Sequence, residues 1–351
     1  MTQATVTSPQ PNQHVTATTT DTTVDQKQLI DSAMQPVAAE LSMLTPHLTS
    51  LLQAKTISGR HIIDHILGAG GKRVRPGLYF FACKLVGYAG EHLIPMAAVC
   101  EYVHTASLLH DDVIDNSSLR RGKPTPNKIW GDESAVLVGD LIYSRASELM
   151  AETGSLEIVR LFARAIRLMS DGELLQLEHL YNPSMPESAY YDIIENKTAV
   201  LLEAVCKAPA LLAGSGAQAE NALKDFGRCV GFAFQLLDDA LDYAGSDQIF
   251  GKRTLADLPE GKVTLPIILL KQHATATELT FVENLIHSEE ISRDSMLKVL
   301  DLVNKYDTVG KTLEEASKWT DKALAALRTF PESKSRTDLE TLAQRLLMRF
   351  N

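Results

Sequence analysis

The sequence predicts an all-helical protein in which one domain encloses a central cavity. Apolar residues recur at a spacing of three to four through most of the chain, and no stretch shows the alternation typical of strands. Two acidic clusters of identical spacing also follow apolar helical runs far apart in the chain. Hydrophobic residues make up 45% of the 351 residues, which is enough for a large core.

Charge and cysteine content restrict the class of protein. The net charge of -10 argues against general nucleic-acid binding, although a bound cation would still permit anionic substrates. Four cysteines are scattered without a CxxC pair, so we expect free buried thiols in a reducing cytosol rather than a zinc site. They are Cys83, Cys100, Cys206 and Cys229. Because no apolar run reaches the roughly 20 residues of a membrane span, we expect a soluble, cytoplasmic protein.

The N-terminal segment differs in composition from the rest. Residues 1–24 are rich in Thr, Gln and Pro and carry almost no charge, which predicts a disordered leader without the features of a secretory signal. Residues 25–351 are predicted to form the folded domain. Its first part, residues 25–53, has helical spacing despite Pro36 and Pro46, so we expect one or two helices there.

Residues 68–87 begin as a glycine-rich loop and become an apolar helix after Pro76. Lys72, Arg73 and Arg75 lie at this junction. Loop and helix N-terminal N–H groups together with these cations would form an anion site. Solvated basic residues in a loop are the alternative. The spacing differs from that of a Walker nucleotide loop.

The first acidic cluster follows the helix predicted for residues 95–110. It comprises Asp111, Asp112 and Asp115. In a continuing helix, Asp111 and Asp115 share one face and repel each other. Paired carboxylates suit magnesium, which keeps several waters and shares its other sites with phosphates. Arg120 and Arg121 follow as candidate phosphate ligands; a solvated helix end is the alternative for an isolated cluster.

Helical patterns then cover residues 135–150, 156–180 and 189–213. The last contains Lys197 in apolar surroundings, where a buried lysine is costly unless it is paired. Lys197 is therefore a candidate phosphate ligand, with a snorkelling side chain as the alternative. His104 lies on the same helical stripe as the first cluster, either as a functional residue or as a core histidine.

A second acidic cluster repeats the spacing of the first. It comprises Asp238, Asp239 and Asp242. Gln235, Asp238 and Asp242 line one helical stripe. Two such clusters are hard to explain as solvated faces. Facing each other across a cavity, they would form a multi-metal clamp for a diphosphate.

The loop after the second cluster carries Lys252 and Lys262, each beside a glycine. Flexible glycine with lysine suits a lid that closes over phosphates and excludes water. Helical patterns resume near Pro266 and continue from Met296 to the C-terminus.

With these motifs in place, the chain resembles the trans-type polyprenyl diphosphate synthases, most of all the long-chain bacterial members that make quinone side chains. The match runs from about Leu29 to the C-terminus and rests on GGKRVRP, HDDVIDNSSLRRGKPTPN, NKT, FQLLDDALDY and GK…EGKVTLP in family order. It implies a single-domain bundle of long antiparallel helices around a deep central cavity, usually a homodimer, with residues 25–351 as the catalytic domain. Leu255 and Ala256 depart from the small or acidic residues of many relatives, which affects only the lid contacts.

The resemblance also implies roles for the singled-out residues. Magnesium would be held by Asp111, Asp115 and Asp238, directly or through water, with Asp112, Asp239 and Asp242 beside them. An allylic diphosphate, farnesyl or geranyl diphosphate, would contact Arg120, Lys197, Thr198, Gln235, Lys252 and Lys262. Isopentenyl diphosphate would contact Lys72, Arg75, His104 and Arg121. The six aspartates and Lys197 are the candidate catalytic residues.

Product length is expected to depend on the residues one turn before Asp111. Ala106 and Ser107 are small, whereas short-chain relatives usually carry a bulky aromatic at one of these positions. The resemblance therefore implies a long product, octaprenyl or similar, made for a quinone side chain and handed to the membrane. Ser107 lies about 40° from the stripe of Asp111 and Ala106 about 140°. The family pattern implicates both, with Tyr102 or Met150 as a deeper floor.

Two other functions fit less well. A class I terpene cyclase shares the fold and the first cluster but usually has an Asn/Ser/Glu-type second motif, and it has no use for a second diphosphate site. A non-catalytic subunit of a heteromeric synthase would be expected to have lost aspartates or arginines that are all present here.

Overall fold

The structure is a computed structural model that describes residues 26–68, 71–244, 255–288 and 291–347. The predicted leader, residues 1–24, and Lys252 lie outside the described residues. The described chain is a bundle of helices, and its only β structure within those ranges is one short hairpin. The all-α prediction is therefore confirmed.

The elements follow one another with short connections. The first part contains α1 (Gln26–Met34), α2 (Ala38–Ser50), α3 (Ile57–Gly68), α4 (Val74–Val86), α5 (Leu93–Ile114), β1 (Leu119–Arg120), β2 (Lys123–Pro124), α6 (Pro126–Trp130) and α7 (Asp132–Glu152). The second part contains α8 (Leu156–Glu178), α9 (Glu187–Ile194), α10 (Val200–Leu212), α11 (Ala217–Ala244), α12 (Leu265–His273), α13 (Ala276–Ile286), α14 (Arg293–Lys305), α15 (Thr308–Leu327) and α16 (Lys334–Leu347). Strands β1 and β2 pair antiparallel.

The N-terminal pattern forms two helices rather than one. Residues Gln35–Val37 form a 3₁₀ turn between α1 and α2, and Pro36 stands at its start, where a fixed φ and a missing N–H are tolerated. Pro46 lies inside α2, whose apolar face buries Leu44 and Leu48.

Helix α4 starts three residues earlier than the sequence predicted. It begins at Val74, so Pro76 lies in the first turn, where a proline needs no intrahelical donor. Arg73 precedes it in the left-handed region with φ 45°. The strained backbone turns the chain sharply between the glycine-rich loop and the helix.

The main core packs around α4, α5 and α10, which are apolar on most faces. Tyr79, Phe80 and Phe81 of α4 are fully buried there. All four cysteines are buried and free, as predicted. None of these helices, nor any other in the described part of the chain, is long and apolar enough to cross a membrane.

Helix α11 connects the main core to a second one formed with α9, α12, α14 and α15. Two glycines let α11 approach α10 and the turn before it closely: a Cβ at Gly227 would lie 2.3 Å from the Leu202 carbonyl oxygen in α10, and one at Gly231 would lie 2.4 Å from the Cα of Ala199, just before α10. On its other side, Phe232 stacks on Trp319 of α15 at 4.2 Å. These contacts fix the helix that carries the second acidic cluster.

The helix predicted for residues 189–213 is present, but it contains a turn that the prediction did not include. Between α9 and α10 lies a π-helical turn, Glu195–Ala199, which contains Lys197 and Thr198. A π turn inserts one extra residue into an α-helix and is frequent at functional sites. The apolar periodicity alone did not reveal it.

Candidate active site

Asp111, at the C-terminal end of α5, lines a cavity of about 330 Å³, which we call the acidic cavity. Asp115 follows as the C-cap of α5 and lines the same cavity. Asp112 does not line it: its carboxylate is buried and accepts hydrogen bonds from Nε and Nη2 of Arg120 at 2.8 and 2.7 Å. Arg120 lines the acidic cavity, so Asp112 orients the Arg120 guanidinium within that cavity.

The second acidic cluster meets the first across this cavity. Asp238 and Asp239 of α11 both line it. Asp239 is buried and accepts hydrogen bonds from the Tyr190 hydroxyl at 2.6 Å and from Gln235 Nε2 at 2.8 Å. Thr198 in turn donates to Gln235 Oε1 at 2.8 Å. This chain of hydrogen bonds joins the π turn to α11.

Asp242 is turned away from the cavity. Its carboxylate accepts the backbone N–H groups of Ala256 at 2.9 Å and Asp257 at 3.1 Å, and its carbonyl accepts that of Leu255 at 2.8 Å. Leu255 is buried with φ 59°, a conformation unusual for a branched residue. Asp242 thus anchors the segment that brings Asp257 to the cavity wall.

Several carboxylates in and around the acidic cavity have raised pKa values. Burial, together with the charges of Glu173 and Asp115 and against the opposing effect of Lys197, raises the pKa of Asp111 to about 6. Burial raises the pKa of Asp239 to about 7, with Asp238 and Asp242 adding to the effect. The pKa of Asp257 is raised well above its usual range by burial and by Asp239. Without cations, these carboxylates repel one another.

The donor set fits a hard divalent cation. Every acidic group is an oxygen donor, and Asp112 Oδ2 is buried without a hydrogen-bond partner. Among the described residues, no three His, Cys, Asp or Glu side chains converge tightly enough to enclose one ion. Oxygen donors of this kind suit magnesium, which keeps several waters and takes its remaining ligands from phosphate oxygens.

Three cations face these acids inside the cavity: Arg120, Lys197 and Lys262. Lys197 Nζ lies 2.5 Å from Glu173 Oε2 and donates to Gln176 Oε1 at 3.2 Å, so it is paired rather than snorkelling into solvent. Lys262 Nζ lies 2.6 Å from Glu260 and 3.8 Å from Asp115.

A second basic cluster lies behind the first, between α4, α5 and the hairpin. A small pocket there is lined by Arg73, Glu101, His104 and Arg121, among others. Arg73 forms a salt bridge with the buried Glu101 and donates to the Leu67 carbonyl at 2.8 Å. Glu101 therefore balances part of the positive charge of this cluster. No local pattern in the sequence indicates this pairing, because Glu101 is a single acid in an apolar helix.

Arg75 and His104 connect this cluster to a third space. Nε of Arg75 is buried without a hydrogen-bond partner, and desolvation lowers the pKa of this guanidinium to about 10. Burial lowers the pKa of His104 well below its usual range, and Arg75 and Arg121 lower it further. At neutral pH His104 is therefore an uncharged imidazole. Lys72 is exposed and precedes Arg73 in the loop.

The third space is a mainly apolar cavity of about 550 Å³, which we call the apolar cavity. It shares a wall with the acidic cavity, made by Leu108, Asp111, Lys197, Thr198, Gln235 and Asp238. Ser107 lines it, as do Met169, Leu201 and Phe234. Ala106, Tyr102 and Met150 are instead buried in the main core. Of the two small residues before Asp111, Ser107 is the one on the cavity wall.

Several cavity residues were not predicted. Tyr190, Asp257, Glu173 and Gln176 line one of the cavities or contact a residue that does. Tyr190 is followed by Tyr191 in an amphipathic helix, and this pattern indicates residues of the hydrophobic core rather than of a binding site. Asp257 lay in the predicted lid loop, where single acids are usually solvated. Only the closeness of Glu173 to Lys197 in space reveals a pairing that spans two helices.

Comparisons with known proteins agree on one family. Residues 59–303 match the family model described as polyprenyl synthetase. An octaprenyl diphosphate synthase of Escherichia coli (strain K12) is 39% identical over 279 residues, covering 80% of this chain and 86% of the relative. The crystal structure of a decaprenyl diphosphate synthase from Rhodobacter capsulatus superposes with TM-score 0.87 at 34% identity, covering 91% of this chain and 99% of that one. A polyprenyl synthase from Caulobacter crescentus CB15, complexed with calcium and isoprenyl diphosphate, gives TM-score 0.86 at 38% identity, covering 91% and 98%.

Proposed function

The chain belongs to the polyprenyl synthetase family and is a long-chain polyprenyl diphosphate synthase with an octaprenyl-like product, and from this premise we propose how its cavities divide the reaction. The acidic cavity receives the diphosphate of an allylic primer, farnesyl or geranyl diphosphate. The second basic cluster receives isopentenyl diphosphate. The apolar cavity receives the growing tail. The observation that carries this proposal is the meeting of two acidic clusters and three cations beside a large apolar space.

We propose that magnesium is held by Asp111, Asp115 and Asp238, directly or through water. The oxygen-only donors, the raised pKa of Asp111 and the calcium named with the Caulobacter crescentus relative support this. When bound, magnesium would act as a Lewis acid that neutralises the charge of the departing diphosphate. Asp112 would act through Arg120, and Asp239 through Gln235, each holding a partner in place.

Arg120, Lys197 and Lys262 are proposed to bind the allylic diphosphate. Charge-assisted hydrogen bonds from fixed cations stabilise negative charge as it develops on a leaving group. Thr198 and Gln235 already share a hydrogen bond on the common wall and are placed to orient the same group. The proposal includes Lys252, which lies outside the described residues.

Lys72, Arg75, His104 and Arg121 are proposed to bind isopentenyl diphosphate. A buried guanidinium with an unused donor favours an incoming anion, because binding supplies the missing acceptor. The uncharged His104 donates or accepts a hydrogen bond there without adding another positive charge to the arginines.

The reaction needs no protein nucleophile. The C–O bond of the allylic diphosphate breaks, and the electron pair leaves with the diphosphate held by Arg120, Lys197 and Lys262. The double bond of isopentenyl diphosphate attacks the allylic cation and forms the new C–C bond. A proton then leaves the adjacent carbon for an oxygen of the released diphosphate, which restores an allylic double bond. The apolar cavity excludes water that would otherwise trap the cation.

A direct assay tests this function. The purified chain alone, given magnesium, isopentenyl diphosphate and farnesyl diphosphate, should yield a linear prenyl diphosphate close to octaprenyl length, resolved by chromatography of the dephosphorylated products. Chelation should abolish turnover, and added magnesium should restore it. A cyclic hydrocarbon as product, or turnover only with a second polypeptide, would overturn the proposal.

We further propose that residues 25–351 form one catalytic domain and that the protein is a homodimer. It works in the cytoplasm and releases its product to the membrane, where the product becomes a quinone side chain. Exposed Val136 and Leu137 on α7 support a dimer, because paired apolar side chains on one helix suit a subunit contact. Light scattering coupled to size-exclusion chromatography measures this directly. A monomer at working concentration would overturn the dimer.

A further inference from the structure

The π turn that carries Lys197 packs directly on one glycine of α8. A Cβ placed at Gly172 would lie 2.7 Å from the backbone nitrogen of Lys197, 2.9 Å from Asn196 Cβ and 3.0 Å from the Asn196 carbonyl carbon. Two of these three atoms belong to the backbone and cannot rotate away. Only glycine allows α8 to lie this close to the turn.

The position is costly for α8 itself. Glycine inside a helix is less favourable than alanine by roughly 1 kcal/mol, and Gly172 lies in the interior of a helix of 23 residues. No turn or positive φ requires glycine there. The requirement therefore comes from the contact with the π turn.

The residue after Gly172 holds the other end of Lys197. Glu173 Oε2 lies 2.5 Å from Lys197 Nζ, and the two side chains are largely buried. Gln176, one turn further along α8, accepts a second hydrogen bond from the same ammonium. One stretch of α8 thus contacts both the backbone and the charged end of Lys197.

The opposite side of the turn is held as well. Glu195, its first residue, accepts a hydrogen bond from Arg228 Nε of α11 at 2.8 Å, and the Arg228 guanidinium lies over the Phe232 ring. With both ends of the turn held, small shifts of α8 are transmitted to Lys197 rather than absorbed by the loop.

We propose that Gly172 and Glu173 are positioning residues that set Lys197 on the wall shared by the acidic and apolar cavities. Gly172 sets the distance between the π turn and α8. Glu173 fixes the orientation of the Lys197 ammonium before the diphosphate binds. This inference rests on the proposed function, in which Lys197 binds the allylic diphosphate. It predicts a defect confined to that substrate.

The test is a double-mutant cycle measured by steady-state kinetics. Gly172→Ala should raise the KM for the allylic diphosphate by about tenfold or more, because a misplacement of about 1 Å is enough for such an effect, while the KM for isopentenyl diphosphate stays within about twofold. In a Lys197→Ala background the same change should add little, since the positioned group is gone. Additive effects, or equal rises for both substrates, would overturn the inference.

Gly227→Ala is the matched control. It places a Cβ against the backbone of α10, near Leu202, in an equally tight helix contact away from Lys197. It should lower the melting temperature without separating the two KM values. If Gly172→Ala fails to fold, Glu173→Gln keeps the size of the side chain and should show the same selective rise, smaller in extent; an unchanged allylic KM there would count against the inference. An inactive wild-type chain would refute the proposed function instead.

Discussion

Asp111 and Asp112 are neighbours in sequence, yet one lines the acidic cavity and the other is buried against Arg120. The second cluster divides differently: Asp238 and Asp239 line the cavity, and Asp242, the counterpart of Asp115, binds backbone N–H groups. Identical spacing therefore does not mean identical roles. The helical repeat sends neighbouring side chains about 100° apart.

For the cavity aspartates, we expect Asp111→Ala or Asp238→Ala to lower turnover by about a hundredfold or more, the scale of losing one electrostatic contact to a developing charge. Steady-state kinetics at saturating magnesium measures this, and circular dichroism should show unchanged helix content. Asp171→Ala, on the outer side of α8 and paired with Arg167, is the control and should retain activity. Near-normal turnover of Asp111→Ala would contradict the metal assignment.

For product length, we expect Ser107→Phe to shorten the main product to a few isoprene units, because its ring would occupy the apolar cavity. Chromatography of the products measures this, and the KM for isopentenyl diphosphate should hold. Ala106→Phe is the comparison. Ala106 is fully buried in the main core, so this change should also lower the unfolding free energy by about 1–3 kcal/mol through overpacking. A parent-length product from Ser107→Phe would mean that the tail runs elsewhere.

At the scale of elements, the sequence predicted most helices but not the π turn. Its five residues, ENKTA, lie between apolar runs, and one inserted residue changes the phase of the apolar pattern on the two sides too little to be seen. The pairing of Lys197 with Glu173 was also hidden, because it joins helices whose relative position no local pattern encodes. The acidic clusters were recognisable from the sequence, because the same spacing of aspartates occurs twice, each time after an apolar run.

The N-terminus of α13 gives a prediction about pH. Glu278 completes a capping box with Thr275 and accepts hydrogen bonds from Lys305 and Tyr306, which lower its pKa from 4.5 to about 2. Because the folded-state pKa is lowered, the stabilisation is present above the unfolded value and is lost as pH falls from about 4.5 towards 2.

We therefore expect Glu278→Gln to be less stable than the wild type at neutral pH, and the difference to shrink as pH falls through that range. Urea unfolding at a series of pH values measures it. The exposed Glu332→Gln should follow the wild-type curve. A difference independent of pH would assign the effect to packing rather than to charge.

At the scale of the whole molecule, α11 belongs to both hydrophobic cores and carries residues of both main cavities. Residues of α5 such as His104 and Leu108 lie between α11 and the second basic cluster. They line both the apolar cavity and the small pocket of that cluster. The two proposed diphosphate sites both use residues of α5 and the hairpin, but only the allylic site includes residues of α11 and the π turn, and only the isopentenyl diphosphate site includes a residue of α4. Mutations in one should be distinguishable from mutations in the other.

Arg75→Ala tests this separation. We expect it to raise the KM for isopentenyl diphosphate far more than that for the allylic substrate, because the Arg75 guanidinium interacts with the charges of Glu101 and Arg121 and does not line the acidic cavity, whereas Lys262 does. Lys262→Ala should show the reverse preference. Initial rates with each substrate varied in turn measure both. Equal rises for the two substrates in either variant would mean that the sites act as one unit.

The wall shared by the two cavities has a consequence for how synthesis stops. In the proposed arrangement, the diphosphate end of every intermediate would return to the same carboxylates and cations, whereas the hydrocarbon end would advance into a space of about 550 Å³. Each added unit gains free energy only while apolar surface remains to be covered. The volume of the apolar cavity would then set the length at which chain growth stops. Side chains that line this cavity, such as Met169, Leu201 and Phe234, would determine product length without contacting the reacting carbons.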